Sequence, residues 1–531
     1  MKINCIIISA ILLAACLVTG CYKDKGNYDY HPINAAAISN IPDTIYVQNG
    51  DSVHIKPGIS FLQSPDDSNY TFKWAIVGGD NQGSPTKIMS TEKNLHGTIP
   101  FSLGNYPAFF QIKEKSTGIT WQKAFRIYVQ GAIKSKGWLI FSEVSNNARL
   151  DFWEEDVNKP GVYPVVYQNF TSRLADPTTL TPFTLPGKPR SLGIYGTRFT
   201  ASESASKNWI LLSTDDHTEM INISDGFIWK ATKYNFKVNT STGRYPDKPE
   251  WIIPQYGGQA YAYQDKNFFA NSSLGVQPFG VPVNIVNGLR FDAAPFFATQ
   301  YSNVITGMGL LWDLTNKRFL RYNGEGASTC AVIAAPDNGT GFDPNNMAMQ
   351  PLWIGYTPAA NGQGISMLKD AGGKFYLARF TWNSSNKITP LSLEEVDLTG
   401  LKDAQLFAVD ENYGYLFYAV DNKVYRYNMD THELILFKAY AAGMKISMLK
   451  SRRCYSLPPW ALVLKNTTIT NYKTLLEPAL LGIFVGVYNP SSPDNSGVMD
   501  VLRVTNSTAQ ATSYYTLLGG GKIVDAEYIY Y

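Results

Sequence analysis

The 531 residues hold only five imidazoles, His31, His54, His96, His217 and His432, so general-base and metal chemistry have few places to sit. His432-Glu433 opens like a zinc-protease helix, where two histidines four residues apart share one face and the glutamate acts as base. Leu436 stands where the second histidine is required. Acids occur side by side, as Glu154-Glu155-Asp156, Asp215-Asp216, Glu394-Glu395 and Asp410-Glu411. Adjacent residues of a strand point to opposite faces, so these neighbours do not by themselves make a catalytic pair, and most read as solvated loop charges. The stretch from Asp337 to Asp343 resembles a calcium loop but lacks the alternating ligands and the distal glutamate, and reads as a turn. No nucleophile elbow, phosphate-binding loop or dinucleotide fingerprint occurs. The expectation is a chain with no catalytic residue, no metal and no cofactor.

Aromatic rings are the other chemistry on offer, because a flat ring beside polar groups can hold a sugar face or an extended peptide. Trp251 (PEWIIPQYGG), Trp353 (PLWIGYTP), Trp382 (FTWNSSN) and Trp460 (SLPPW) all sit among loop-forming residues. Nearby proline or glycine favours exposed loops. Trp251, Trp353, Tyr356 and Trp460 are therefore the candidate ligand-binding residues.

Composition narrows the partners. A formal net charge of +3 without any basic run excludes a nucleic-acid footprint. Cys330 and Cys454 are the cysteines of the folded part. They could pair across a long loop, but with no other framework they read as buried free thiols. Lys2, the apolar run from Ile3 to Val18 and the small residues before Cys21 describe an export signal too short to span a membrane. Val18-Thr19-Gly20-Cys21 resembles a bacterial lipobox. It competes with Leu13-Ala14-Ala15-Cys16, but the sequence turns polar directly after Cys21. The resemblance implies cleavage after residue 20 and a lipid on Cys21.

The elements that must position these groups are strands. Tyrosine (33), phenylalanine (27), glycine (43) and proline (29) are abundant, which favours strands and tight turns over helices. The one helical candidate, Asn471 to Leu481, is interrupted by Pro478. Residues 21–36 read as a flexible tether and 37–131 as an immunoglobulin-like β-sandwich. Trp74 is its expected core tryptophan and Tyr106 its expected tyrosine corner. Residues 131–137 (GAIKSKG) read as a boundary. From Trp138 an apolar strand, a turn and an aromatic strand recur, as in Gly309–Leu314 with Arg318–Tyr322, and in Gly414–Ala419, Lys423–Tyr427 and Glu433–Phe437. That recurrence predicts a β-propeller over 132–531, and about 40–50 residues per blade give about seven blades. A row of separate sandwiches is the alternative.

The first 150 residues resemble the PKD-like lipoproteins of the Bacteroidetes. The resemblance is carried by CYKDKGNYDYHPIN (21–34), GDSVHIKP (50–57), YTFKW (70–74), LGNYPAFFQIKEKSTG (103–118) and GWLIFSE (137–143). It implies an all-β protein in which a PKD-like sandwich precedes the repeat. It also implies an outer-membrane lipoprotein grouped with SusC/SusD-type transporter proteins, anchored by lipid at the cell surface. The expected role is a non-catalytic binding or accessory subunit for a glycan or peptide. A propeller-type glycoside hydrolase or lyase, and a purely structural partner of the transporter, are the alternatives.

Overall fold

The computed structural model describes residues 33–531 apart from 79–84, 99–102, 132–136, 157–158, 160, 177, 198–206, 217, 223–226, 230–247, 255–259, 272–278, 300–307, 325, 337–340, 383–386, 452–481 and 530–531. Cys21, Cys454, Trp460, His31, His217, the boundary at 132–136 and the helical candidate at 471–481 thus lie outside the described residues. Strands and short 3-10 turns make up the described chain, and none of its helices is long and apolar enough to cross a membrane.

The N-terminal unit contains β1 (Ala36–Ser39), β2 (Thr44–Gln48), β3 (Ser52–Ile55), β4 (Gly58–Phe61), β5 (Tyr70–Val77), β6 (Thr86–Ser90), β7 (Leu95–Thr98), β8 (Gly104–Glu114) and β9 (Thr120–Gln130). One sheet runs β2-β9-β8-β5-β6, with β2 parallel to β9; the pairs β1–β4 and β3–β7 complete the unit. Period-two alternation on β8 and β9 turns Tyr106, Ala108, Phe110, Ile112, Phe125, Ile127 and Val129 inward around the fully buried Trp74. Trp74 lies tilted against Phe110 at 4.2 Å and donates its indole N–H to the carbonyl of Glu92 at 3.1 Å. The expected core tryptophan is therefore in place. Tyr106 is buried inside β8, and burial together with the carboxylate of Asp176 pushes its hydroxyl pKa far up.

Asp176 lies beyond β9, in the segment that docks onto the sandwich. Leu180, in a left-handed conformation, belongs to the sandwich core. Asn49 donates to the carbonyl of Arg173 at 3.3 Å. Gly78 lies so close to this segment that a Cβ there would stand 2.2 Å from the carbonyl oxygen of Thr178.

The remaining strands form small antiparallel sheets, none closed into a barrel. The first sheet holds β10 (Gly137–Val144), β11 (Asn147–Glu154) and β12 (Val165–Tyr167). The second holds β13 (Pro189–Thr197), β14 (Lys207–Thr214) and β15 (Thr218–Asn222); the third, β16 (Trp251–Pro254), β17 (Ala260–Gln264) and β18 (Asn267–Asn271). After a ribbon of β19 (Ile285–Val286) and β20 (Leu289–Arg290), the fourth holds β21 (Ala298–Thr299), β22 (Gly309–Asp313), β23 (Arg318–Tyr322) and β24 (Cys330–Val332). The fifth holds β25 (Gln350–Thr357), β26 (Gln363–Lys369), β27 (Phe375–Trp382) and β28 (Ile388–Val396). The sixth holds β29 (Leu406–Val409), β30 (Leu416–Val420), β31 (Lys423–Tyr427) and β32 (Leu434–Ala439). The seventh holds β33 (Lys445–Ser451), β34 (Ile483–Tyr488), β35 (Gly497–Leu502) and β36 (Ser513–Gly520). The last strand, β37 (Lys522–Ile529), returns to the first sheet and pairs with β10.

Each sheet packs both faces against its neighbours, which explains the continuous apolar runs of the middle strands. On β14, Ile210 and Leu212 pack with Leu139, Phe141, Leu150 and Phe152 of the first sheet. Trp209 and Leu211, on the other face, pack with Ile252, Ala260 and Ala262 of the third. The circuit closes where Met448, Phe484 and Val501 of the seventh sheet meet Trp138, Ile140 and Tyr528 of the first.

Candidate functional site

The first strands of the second to seventh sheets, together with β37 of the first, touch one another in series. Contacts run from β37 to β13 and β16, and from β21 through β25, β29 and β33 back to β37. Trp251 of β16 stacks toward Phe297, next to β21, and bridges the remaining step. A cavity of about 210 Å³ lies among β13, β16, β29, β33 and β37. Apolar Leu192, Ile252, Ile253, Met448 and Leu449 line it together with Arg190, Ser447, Lys450, Asp525, Glu527 and Trp251.

Asp525 and Glu527 are two apart on β37 and so share a face, with Lys450 of β33 across from them. The Lys450 ammonium donates to Asp525 Oδ1 at 2.7 Å, to Glu527 Oε1 at 2.6 Å and to the carbonyl of Ala526 at 3.1 Å. An ammonium has three protons, and these contacts use all three. Burial alone would push the Lys450 pKa down, but the two carboxylates outweigh it and hold the pKa above its ordinary value. The other oxygen of Asp525 accepts from the backbone N–H of Leu192 on β13 at 2.9 Å. One ion cluster therefore ties the seventh, first and second sheets together. Chemically it is a neutralised clamp, with its lysine committed as a donor.

The sequence-predicted residues fall differently. Trp251 reaches the cavity wall from the first position of β16, half-buried, with its indole N–H on the carbonyl of Pro295 at 2.8 Å and its ring stacked on Tyr263 at 5.7 Å. The loop placement expected from nearby Pro and Gly is corrected for Trp251 and Trp353, which lie in strands, as does Tyr356. Proline is tolerated there because β16 and β25 are sheet edges. Gly355 is next-but-one to Trp353, and a Cβ on it would stand 2.1 Å from the indole; this glycine makes room for the ring. Trp353 stacks on Phe407 at 6.2 Å and Tyr356 meets Trp382 edge-on at 5.1 Å. Trp382 itself is buried in β27. Trp460 lies outside the described residues.

Two of the adjacent acids, Glu155 and Asp410, are buried instead of solvated. Glu155 accepts from Tyr528 and from the N–H of Gly161, both at 2.5 Å. Asp410 accepts from the N–H groups of Asn412, Tyr413 and Tyr415 at 3.0, 2.7 and 2.7 Å; burial nevertheless raises its pKa. Asp313 holds a similar turn through Asn316 and Arg318. These carboxylates hold turns and strand ends. Among the described residues no group of three or more His, Cys, Asp or Glu is placed to hold a metal ion. Cys330 is buried, donates its thiol to the carbonyl of Val283 at 3.4 Å, and has its pKa pushed by burial up to about 12.

Residues 21–175 match the model of a PKD-like family. The matched part is less than half of the chain and runs past β9 and β12 as far as Ala175 at the docking segment. The comparison with curated proteins gives no match. Among solved structures, a quinoprotein alcohol dehydrogenase-like protein from Bacteroides thetaiotaomicron is 12% identical with a TM-score of 0.48. The likeness covers 92% of this chain and 97% of that one. The extracellular domain of a protein from the same organism, described as a one-component system, is 10% identical with a TM-score of 0.35, covering 92% of this chain and 70% of that one. Both likenesses are too distant to bear on fold detail or function.

Proposed function

We propose that this protein is a non-catalytic binding subunit, anchored to the outer membrane by a lipid on Cys21 and exposed at the cell surface beside a SusC/SusD-type transporter. On this reading residues 137–529 form a seven-bladed β-propeller. Support comes from the sequential sheets, their two-faced packing and the return of β37 to β10. The lipid anchor is supported by the lipobox-like stretch and by a PKD-like match that begins at Cys21. The ligand is a glycan or peptide whose end enters the central cavity against Trp251. At about 210 Å³ the cavity is below the roughly 300–1,000 Å³ of sites that enclose a whole small molecule.

The observation that carries the non-catalytic reading is the Lys450 clamp. Its ammonium spends every proton on Asp525, Ala526 and Glu527, so the cavity's central charges hold one another and the lysine is not free as a nucleophile or proton donor. The test is a binding screen of the lipidated chain against polysaccharides and protein digests, with wild type and Trp251→Ala side by side. The reading expects capture by wild type, at least tenfold weaker capture by the variant, and co-purification with a SusC/SusD-type pair. Labelled palmitate should enter wild type and not Cys21→Ser. Release of reducing sugar or peptide fragments, abolished by one acid substitution, would make the protein an enzyme instead.

A further inference from the structure

His54 on β3 and His96 on β7 face one another directly in the strand register. Both are exposed, their ring centroids are 4.2 Å apart and their Nδ1 atoms are 2.6 Å apart. The strands beneath are fixed, because Val53, Ile55 and Leu95 are buried in the sandwich core. Two residues along the same face, Ser52 stands opposite Thr98, and exposed Lys56 and Asn94 follow on the other side of the pair. Next to His96, Gly97 leaves open space, with nothing within 4 Å of where a side chain would begin.

We propose that His54 and His96 form a two-nitrogen chelate for a late first-row divalent cation, copper(II) ahead of nickel(II) and zinc(II). Metal–nitrogen bonds are about 2.0 Å, so two cis ligands of a square-planar centre stand about 2.8 Å apart and two of a tetrahedral centre about 3.3 Å. From 2.6 Å the rings open by a few tenths of an ångström to reach the first geometry, and by three times that or more to reach the second. The intrinsic order of divalent affinities points the same way. As a neutral pair one Nδ1 donates its proton to the other. On binding, that proton moves to Nε2 of its own ring by way of solvent, both Nδ1 lone pairs turn to the metal, and no net proton is released. Water completes the coordination shell, with the Ser52 and Thr98 hydroxyls alongside.

The experiment is copper(II) titration of the full chain by calorimetry, with electron paramagnetic resonance of the one-equivalent complex. Wild type should bind with a spectrum showing two imidazole nitrogens. His54→Gln and His96→Gln, which keep a polar side chain on each strand, should each weaken binding at least tenfold and reduce the signature to one nitrogen. His432→Gln should bind as wild type does. Zinc(II) should bind at least tenfold more weakly than copper(II). Unchanged copper affinity in either strand variant, with a normal melting curve, would show the pair to be a cross-strand hydrogen bond and nothing more. Zinc binding as tight as copper would overturn the tetragonal geometry.

Discussion

Replacing Lys450 with methionine keeps the volume and removes the charge from the clamp. In wild type the lysine, Asp525 and Glu527 side chains are only 14%, 16% and 14% exposed, so the loss leaves two largely covered carboxylates without their counter-ion. Removing one partner of such a group costs about 3–5 kcal/mol. The triple variant Lys450→Met/Asp525→Asn/Glu527→Gln removes the stranded charge. It should recover most of that loss, because the amide oxygen replacing the Asp525 carboxylate can still accept from the N–H of Leu192. Urea unfolding followed by tryptophan fluorescence reads both. The pH dependence supplies an independent check. The Lys450 pKa is raised in the folded state, so its stabilisation is complete below the ordinary value of about 10.5 and is lost as pH rises through the folded value. The difference between wild type and Lys450→Met should therefore be flat through neutral pH and shrink in strong alkali. If Lys450→Met stays within about 0.5 kcal/mol of wild type, the ammonium is solvated and the circuit does not depend on it.

Gly78→Ala places a methyl against the Thr178 carbonyl, and should loosen the sandwich from the docking segment; limited proteolysis is expected to cut between residues 131 and 137 faster than in wild type, and equal rates would show that this contact does not hold the units together. Trp382→Ala should cost about 3–5 kcal/mol as a core truncation, whereas Trp382→Phe should cost far less because the buried indole N–H has no hydrogen-bond partner to lose. The Cys330 thiol, its pKa pushed up to about 12 by burial, should resist a thiol reagent at neutral pH until denaturant is added.

The repeat was legible because β14, β22, β30 and β34 are covered on both faces, and two-sided burial writes an unbroken apolar run. Trp74 was legible on other grounds, as the tryptophan of a central strand in an immunoglobulin-like pattern. The clamp was not, since Lys450 and its carboxylates are 75 and 77 residues apart and meet only when β37 returns to the first sheet. A signal did exist in Asp525-Ala526-Glu527, whose alternate spacing puts two acids on one strand face. Directly adjacent acids carry no such signal, because they point to opposite faces of a strand. Trp353 misled because glycine has two uses. It marks turns, and it also clears space for a large ring lying along a strand, as Gly355 does.

The return of β37 to β10 also orders events in time. A chain is made from its N-terminus, so β10 waits with one edge bare until β37 has been delivered. A product lacking residues 522–529 would keep nearly every core residue and still leave that edge open, offering a row of unpaired backbone groups to any passing strand. Synthesis through β37 thus becomes a condition for solubility, and a copy cut short before it identifies itself by sticking.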